Sequence, residues 1–214
     1  FALLIGLPFA VAYGGALAFE DGVSPVLENC MINGNFAHMG GGIYSSWGEP
    51  LISDCDISAN EADSGGGIAF VGGENRVART TVTNNTSTKI GGTGGGAALL
   101  GANAMIVDTK FTNNDTEGDG GGVFISSRYG DVNGLDGWRS NDNAVLLKNC
   151  LITDNMANVN GGGMSSHWNS DVNVVSCTIA DNMVSSGYGG GLSAFYGSYT
   201  HIIDSVIWNN VTSV

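Results

Sequence analysis

Gly40-Gly41-Gly42-Ile43 decides how this chain is read, because the same words return along its whole length. They recur as Gly65-Gly66-Gly67-Ile68, Gly94-Gly95-Gly96-Ala97, Gly120-Gly121-Gly122-Val123, Gly161-Gly162-Gly163-Met164 and Gly189-Gly190-Gly191-Leu192. A degenerate copy, Gly14-Gly15-Ala16-Leu17, makes seven. A unit that returns every few tens of residues cannot bury its own apolar face, so it stacks on its neighbours.

A second motif runs in phase with the glycines. It reads Cys30-x-Ile32-x-x-Asn35, Cys55-x-Ile57-x-x-Asn60, Thr80-x-Val82-x-x-Asn85, Thr109-x-Phe111-x-x-Asn114, Cys150-x-Ile152-x-x-Asn155, Cys177-x-Ile179-x-x-Asn182 and Ser205-x-Ile207-x-x-Asn210. Its first positions are 25, 25, 29, 41, 27 and 28 residues apart, so length varies in the gaps while the motifs stay intact. That is how loops on a rigid coil behave. An aliphatic residue stands three before each first position: Leu27, Ile52, Val77, Ile106, Leu147, Val174 and Ile202. The residue just before it is polar, namely Asn29, Asp54, Arg79, Asp108, Asn149, Ser176 or Asp204. Strict alternation would put that polar side chain among its apolar neighbours, so we read it as a corner.

Each repeat therefore predicts three short strands: one entering at Ile43 and its equivalents, one around Ile52, and one around Cys55-Asp56-Ile57. β-Branched residues, no helical period and one glycine-rich corner suit an all-β, right-handed, single-stranded parallel β-helix of about seven rungs, read as one domain over 1–214. The Cys and Thr residues read as small fillers beside larger Ile, with free buried thiols as the first reading and stacked disulfides, Cys30 with Cys55 and Cys150 with Cys177, as the second. The asparagines read as a ladder of amides bonded from rung to rung.

Composition narrows the partners. Thirty-five glycines beside only three prolines and 43% hydrophobic residues leave enough apolar surface for a core. A formal charge of -13 disfavours nucleic acid and anionic membranes, and leaves other protein subunits or surface glycans as the expected partners. The opening Phe1-Ala2-Leu3-Leu4-Ile5-Gly6-Leu7-Pro8-Phe9-Ala10-Val11 lacks an initiator Met and a basic flank and is too short to span a bilayer. We read it as a first rung, with a targeting remnant as the alternative, and expect the chain to be an excerpt of a longer protein with no direct membrane insertion by this segment.

Glycine pairs followed by a small or aliphatic residue, phased with an aromatic-or-aliphatic-x-x-Asn tetrapeptide, resemble the repeats of polymorphic outer-membrane autotransporters. Gly14-Gly15-Ala16-Leu17 and Phe111-Thr112-Asn113-Asn114 carry the likeness most closely. More broadly, residues 12 to 214 resemble the right-handed parallel β-helix, pectin-lyase-like superfamily. The resemblance implies fold more than function, because that superfamily includes polysaccharide lyases, glycoside hydrolases, adhesins and stalk proteins. It also implies that a catalytic groove would lie beside the strand that follows the glycine triplets.

The residues for such catalysis are not evident. The seven Lys and Arg residues are scattered over different repeats, and no paired-carboxylate signature stands out. The expectation is a non-catalytic extracellular or cell-surface spacer, adhesin or assembly-forming segment, needing no cofactor. The alternatives are a polysaccharide lyase or glycoside hydrolase with its groove completed elsewhere, and a glycan-binding module. Two features stand out as contact sites. Four residues past the post-glycine position come Trp47, Trp168 and Tyr196, with Tyr44, His167 and Phe195 nearby, which reads either as a sugar or partner platform or as corner packing. The 41-residue interval carries a long corner insertion, 127–144, in which Asp131, Asn133, Asp136 and Asp142 offer hard oxygen ligands of the type calcium prefers.

Overall fold

In the computed structural model, residues 12–128 and 143–213 are described. They form twenty-eight strands in four parallel sheets, each seven strands deep, and every strand pairs with its equivalent one repeat away. The first sheet holds Leu17–Phe19, Ile43–Ser46, Ile68–Val71, Ala97–Leu100, Val123–Ser126, Met164–His167 and Leu192–Ala194. In the second repeat the chain then contributes Leu51–Ser53 to the second sheet, Asp56–Ser58 to the third and Glu61–Ser64 to the fourth. Pairing keeps the repeat's own phase: Ile43 lies opposite Leu17 and Ile68, Ile52 opposite Leu27 and Val77, Ile57 opposite Ile32 and Val82. The fold is thus the parallel coil that the spacing predicts.

Three strands per rung become four. The added strand follows each ladder asparagine; it runs four residues in Phe36–Met39 and Glu61–Ser64 and only two in Thr86–Ser87, Asp115–Thr116, Met156–Ala157, Met183–Val184 and Val211–Thr212. Two residues give alternation no length to show itself. The second residue of each of the first six of these strands is small and buried, running Ala37, Ala62, Ser87, Thr116, Ala157 and Val184. The other three sheets fill the interior with Ile43, Phe70, Leu99 and Ile125, with Ile52, Val77, Ile106 and Leu147, and with Ile57, Val82, Phe111 and Ile152. Full burial of one such aliphatic side chain contributes about 1.5–3 kcal/mol.

The corners rest on left-handed backbone. All seven polar residues read as bends, Asn29, Asp54, Arg79, Asp108, Asn149, Ser176 and Asp204, have φ between 48° and 54°. A second left-handed corner, unmarked in the sequence reading, precedes each ladder asparagine at Gly34, Ala59, Asn84, Asn113, Asp154, Asp181 and Asn209. One triplet explains why three glycines are needed together. Gly94 has φ 67°; a Cβ on Gly95 would stand 2.3 Å from the Asp115 carbonyl oxygen; one on Gly96 would meet the Gly122 carbonyl oxygen at 2.5 Å and the Asn114 amide at 3.0 Å. The first glycine turns the chain and the other two let neighbouring backbone and the ladder come close.

The ladder is continuous. The Nδ2 of Asn35 donates to the Oδ1 of Asn60, and the same bond repeats from Asn60 to Asn85, Asn114, Asn155, Asn182 and Asn210 at 2.8 to 3.0 Å. Each Oδ1 also accepts the donor residue's backbone N–H at 3.0 Å.

The Cys/Thr/Ser column has a role that size alone does not show. Thr80, Thr109 and Ser205 donate their hydroxyls to the carbonyl two residues back at 2.8 to 2.9 Å, and Cys30, Cys55, Cys150 and Cys177 do the same through sulfur at 3.1 to 3.4 Å. The column caps the left-handed corner with a donor, which is why Cys, Thr and Ser interchange there. All four thiols are free. Burial pushes the Cys55 thiol up. In the Cys150–Cys177 pair, the neighbouring thiol and burial together push the Cys150 thiol up, and the Cys177 sulfur accepts the Cys150 N–H at 3.3 Å.

Candidate functional site

The outer face of the first sheet differs from the others. Its strands from Ile43–Ser46 to Met164–His167 are buried on both sides. At the low-numbered end the outward side chains are apolar: Tyr44, Ala69, Val71, Leu100 and Phe124 form one cluster with Met39, and Tyr13 packs on it. At the high-numbered end the same columns turn polar, through Ser126, Ser165, His167 and Ser193.

His167 is the centre of that polar end. It is 8% exposed, and its Nε2 lies 2.9 Å from Ser165 Oγ and 3.9 Å from Asp119 Oδ2. Ser165 Oγ in turn meets Ser193 Oγ at 2.8 Å, and Asp119 accepts a bond from the Asn160 side-chain amide at 2.8 Å. Strand alternation puts Ser165 and His167 on one face, and stacking brings Ser193 beside Ser165. Asp119 arrives from the residue just before a glycine triplet, in a column that continues through Thr93, Asn160 and Tyr188. Serine and carboxylate both approach the same nitrogen, whereas a serine-nucleophile relay holds the carboxylate on the opposite one. The arrangement is a hydrogen-bonding cluster of imidazole, carboxylate and hydroxyls.

Aromatic rings wall the cluster. The His167 ring meets Phe124, Phe195 and Tyr196 edge-on with centroids 5.0, 5.3 and 5.6 Å away. Trp168 and Tyr196 stack with centroids 4.1 Å apart and planes 9° apart, and the Arg128 guanidinium lies 3.7 Å from the Trp168 ring centroid. Arg128, Trp168 and Tyr196 belong to successive rungs, so the rings face along the rod axis rather than outward. Guanidinium and tyrosine occupy the two faces of Trp168, so both faces of that ring are taken up by stacking between rungs.

Of the six residues read as one contact set, the structure brings four together: His167, Trp168, Phe195 and Tyr196. Tyr44 lies four repeats from His167, 4% exposed and stacked on Tyr13 at 4.7 Å, so its ring is used in packing. Trp47 covers the backbone of Gly72, where a Cβ would stand 2.4 Å from its ring. The aromatic slot is itself strained. Trp47, Trp168 and Tyr196 have φ of 59°, 58° and 53°, where the equivalent positions Gly72 and Gly101 are glycine. Bulky residues in that region cost about 1–2 kcal/mol each, so three aromatics are held where glycine would be easier.

Asp119, Ser165, Ser193 and Arg128 were not singled out in the sequence. The place of Asp119 immediately before a triplet, and the two-residue step from Ser165 to His167, are the signals that would have found them. The candidate calcium ligands Asp131, Asn133, Asp136 and Asp142 lie outside the described residues. The neck of their insertion is described: Asn143 Nδ2 donates to the Ser126 carbonyl at 2.9 Å, so the chain leaves and re-enters at one corner. Among the described residues no three His, Cys, Asp or Glu side chains are grouped as a metal site.

Stacked parallel coils with a fixed residue column at each corner define the chain's class, a parallel β-solenoid repeat protein. Comparison with family models, curated proteins and solved structures finds no match.

Proposed function

We propose that this chain is a non-catalytic extracellular or cell-surface β-solenoid that acts as a structural spacer, adhesin or assembly-forming segment, its repeats giving length and its corners giving contact. The observation that carries this reading is the unbroken asparagine ladder. It ties seven rungs together through buried amides and makes the coil stiff along its length, a property that a spacer needs. Deleting one whole repeat, residues 66–94, from the protein on its native cells tests it. The rod should shorten by one rung, ~4.8 Å, and remain folded, with partner contact weakened in step with further deletions. Polysaccharide turnover by the intact protein, abolished by Asp119→Asn, would overturn the non-catalytic reading.

A second reading, a glycan-binding module, draws on the stacked Trp168 and Tyr196 rings beside the His167 hydroxyl cluster. Sugars stack on aromatic faces while their hydroxyls bond to nearby polar groups. Glycan-array binding that is lost in Tyr196→Ala and in Ser165→Ala would favour it; binding unchanged in both would remove it.

A further inference from the structure

We infer that Cys30 and Cys55 together bind one thiophilic monovalent cation, Cu(I), between their sulfurs. The two residues stand one above the other at the corner that enters the third sheet. Met31 pairs with Asp56 there, and Asp56 N–H donates to the Cys30 carbonyl at 2.9 Å. Both thiols are free, and both line one open concavity of about 450 Å³ together with Met31, Asp54 and Arg79. Capping the corner explains a donor at these positions but not sulfur in two adjacent rungs. The Cys30 and Cys55 thiols reach the Glu28 and Ser53 carbonyls at 3.3 and 3.1 Å, where Thr80 makes the equivalent bond at 2.9 Å. An S–H is the weaker donor, so capping alone favours threonine. What a pair of sulfurs adds is affinity for a soft metal ion.

The spacing selects how that ion is held. Stacked rungs lie ~4.8 Å apart, and parallel side-chain directions at that distance strain a disulfide. A metal–sulfur bond of ~2.3 Å on each side of a bridging ion spans ~4.6 Å, so the same stack suits a sulfur–metal–sulfur bridge. Zinc asks for four ligands, and among the described residues no three His, Cys, Asp or Glu side chains are grouped to supply them. Asp54, on the cavity wall, is engaged by Arg79 through two bonds of 2.8 and 2.6 Å. Cu(I) takes two or three sulfurs, and exposed Met31 brings a thioether to the same wall. Binding replaces two S–H protons by one Cu(I) and releases both to water. The bridge then carries one net negative charge, with the Arg79 guanidinium in the wall beside it. Cys150 and Cys177 repeat the register, but both are buried, whereas Cys30 is partly exposed and gives the ion a way in.

The probe is Cu(I) itself, supplied without oxygen to the intact chain against a competing chelator, with X-ray absorption reading the ligands. The parent for all measurements is Cys150→Ser/Cys177→Ser, in which serine keeps the corner donor and the buried pair is removed. The expected result is one Cu(I) per chain with sulfur neighbours only. Affinity should fall at least ~100-fold in Cys30→Ser and in Cys55→Ser, because a single thiolate replaces a chelating pair. Cys30→Thr, which copies the residue used at Thr80, should lose the ion to the same extent, so that the loss follows sulfur rather than folding. Failure of the parent to retain copper overturns the inference, as does equal affinity in any of the three variants. Nitrogen or oxygen neighbours in the absorption spectrum also overturn it, and so does recovery of Cys30 and Cys55 as a disulfide from protein isolated without reductant.

Discussion

Asn114 and Asn155 are 41 residues apart in the chain, yet the Oδ1 of Asn155 accepts both the backbone N–H and the side-chain Nδ2 of Asn114 at 3.0 Å. The longest interval in the repeat therefore leaves no gap in the ladder. Asn114 is 1% exposed, also donates to the Val82 carbonyl, and accepts from Asn85.

Asn114→Leu keeps the volume and removes those bonds. It leaves the buried Asn85 backbone N–H without its acceptor and takes one bond each from the Asn85 side-chain amide and the Val82 carbonyl, the orphaned N–H alone costing about 1–3 kcal/mol. The expected loss is roughly 3 kcal/mol or more in urea denaturation. A loss under ~1 kcal/mol would mean that packing, not the ladder, holds the rungs.

Thr109→Val separates a corner cap from a space filler. The two side chains are nearly the same size, but valine cannot donate to the Val107 carbonyl, which Thr109 reaches at 2.9 Å. The expected cost is about 1–2 kcal/mol, with Cys177→Ser close to neutral because serine preserves the donor. If the valine variant is as stable as the wild type, the column is apolar core after all.

How much of this was legible beforehand divides along physical lines. The coil, its register and the bends at Asp54 and its equivalents could be read because each breaks or keeps an alternation that the repeat shows seven times. The fourth sheet could not be read, since five of its seven strands, Asp115–Thr116 and Met156–Ala157 among them, have two residues and display no period, leaving the alternation of Phe36–Met39 and Glu61–Ser64 without a repeat to confirm it. The capping role of Cys55 was hidden because sulfur serves equally well as a small hydrophobe. Residues near the candidate site were partly legible. His167, Trp168 and Tyr196 announce themselves by type, whereas Ser165 and Asp119 matter only through neighbours contributed by other rungs.

Asp115 gives a pH-dependent test. Burial raises its carboxyl above the ordinary value of 3.8, and the nearby Glu117 charge adds to the shift. A raised folded value means that the stabilising contribution is complete below pH 3.8 and is lost as pH rises through the folded value. Ionised Asp115 is thus a burden at neutral pH. Asp115→Asn should raise stability at pH 7 by under ~1 kcal/mol, the gain shrinking as pH falls below about 4. A gain that persists unchanged at pH 3 would point to a cause other than charge.

Tyr196→Gly weighs strain against stacking. Relief of the left-handed backbone is worth about 1–2 kcal/mol, and loss of the Trp168 stack costs about 0.5–1.5 kcal/mol. The two should nearly cancel, leaving thermal stability little changed while Trp168 emission shifts as its cover is removed. A drop beyond ~2 kcal/mol would make the ring a packing residue rather than a contact held in place at a cost.

The ladder's side-chain carbonyls all point the same way, each Oδ1 from Asn60 to Asn210 accepting from the rung numbered below it, while the amide nitrogens donate to both neighbouring rungs. Backbone bonds between neighbouring strands run in both directions and largely cancel, as Asp54 N–H to Ala78 and Asp56 N–H to Cys30 illustrate. The side-chain amides do not cancel. Their small dipoles add along the axis, giving the rod an electrical arrow with acceptor character toward Asn35 and donor character toward Asn210. A charged neighbour approaching from one end meets a different field from one approaching from the other.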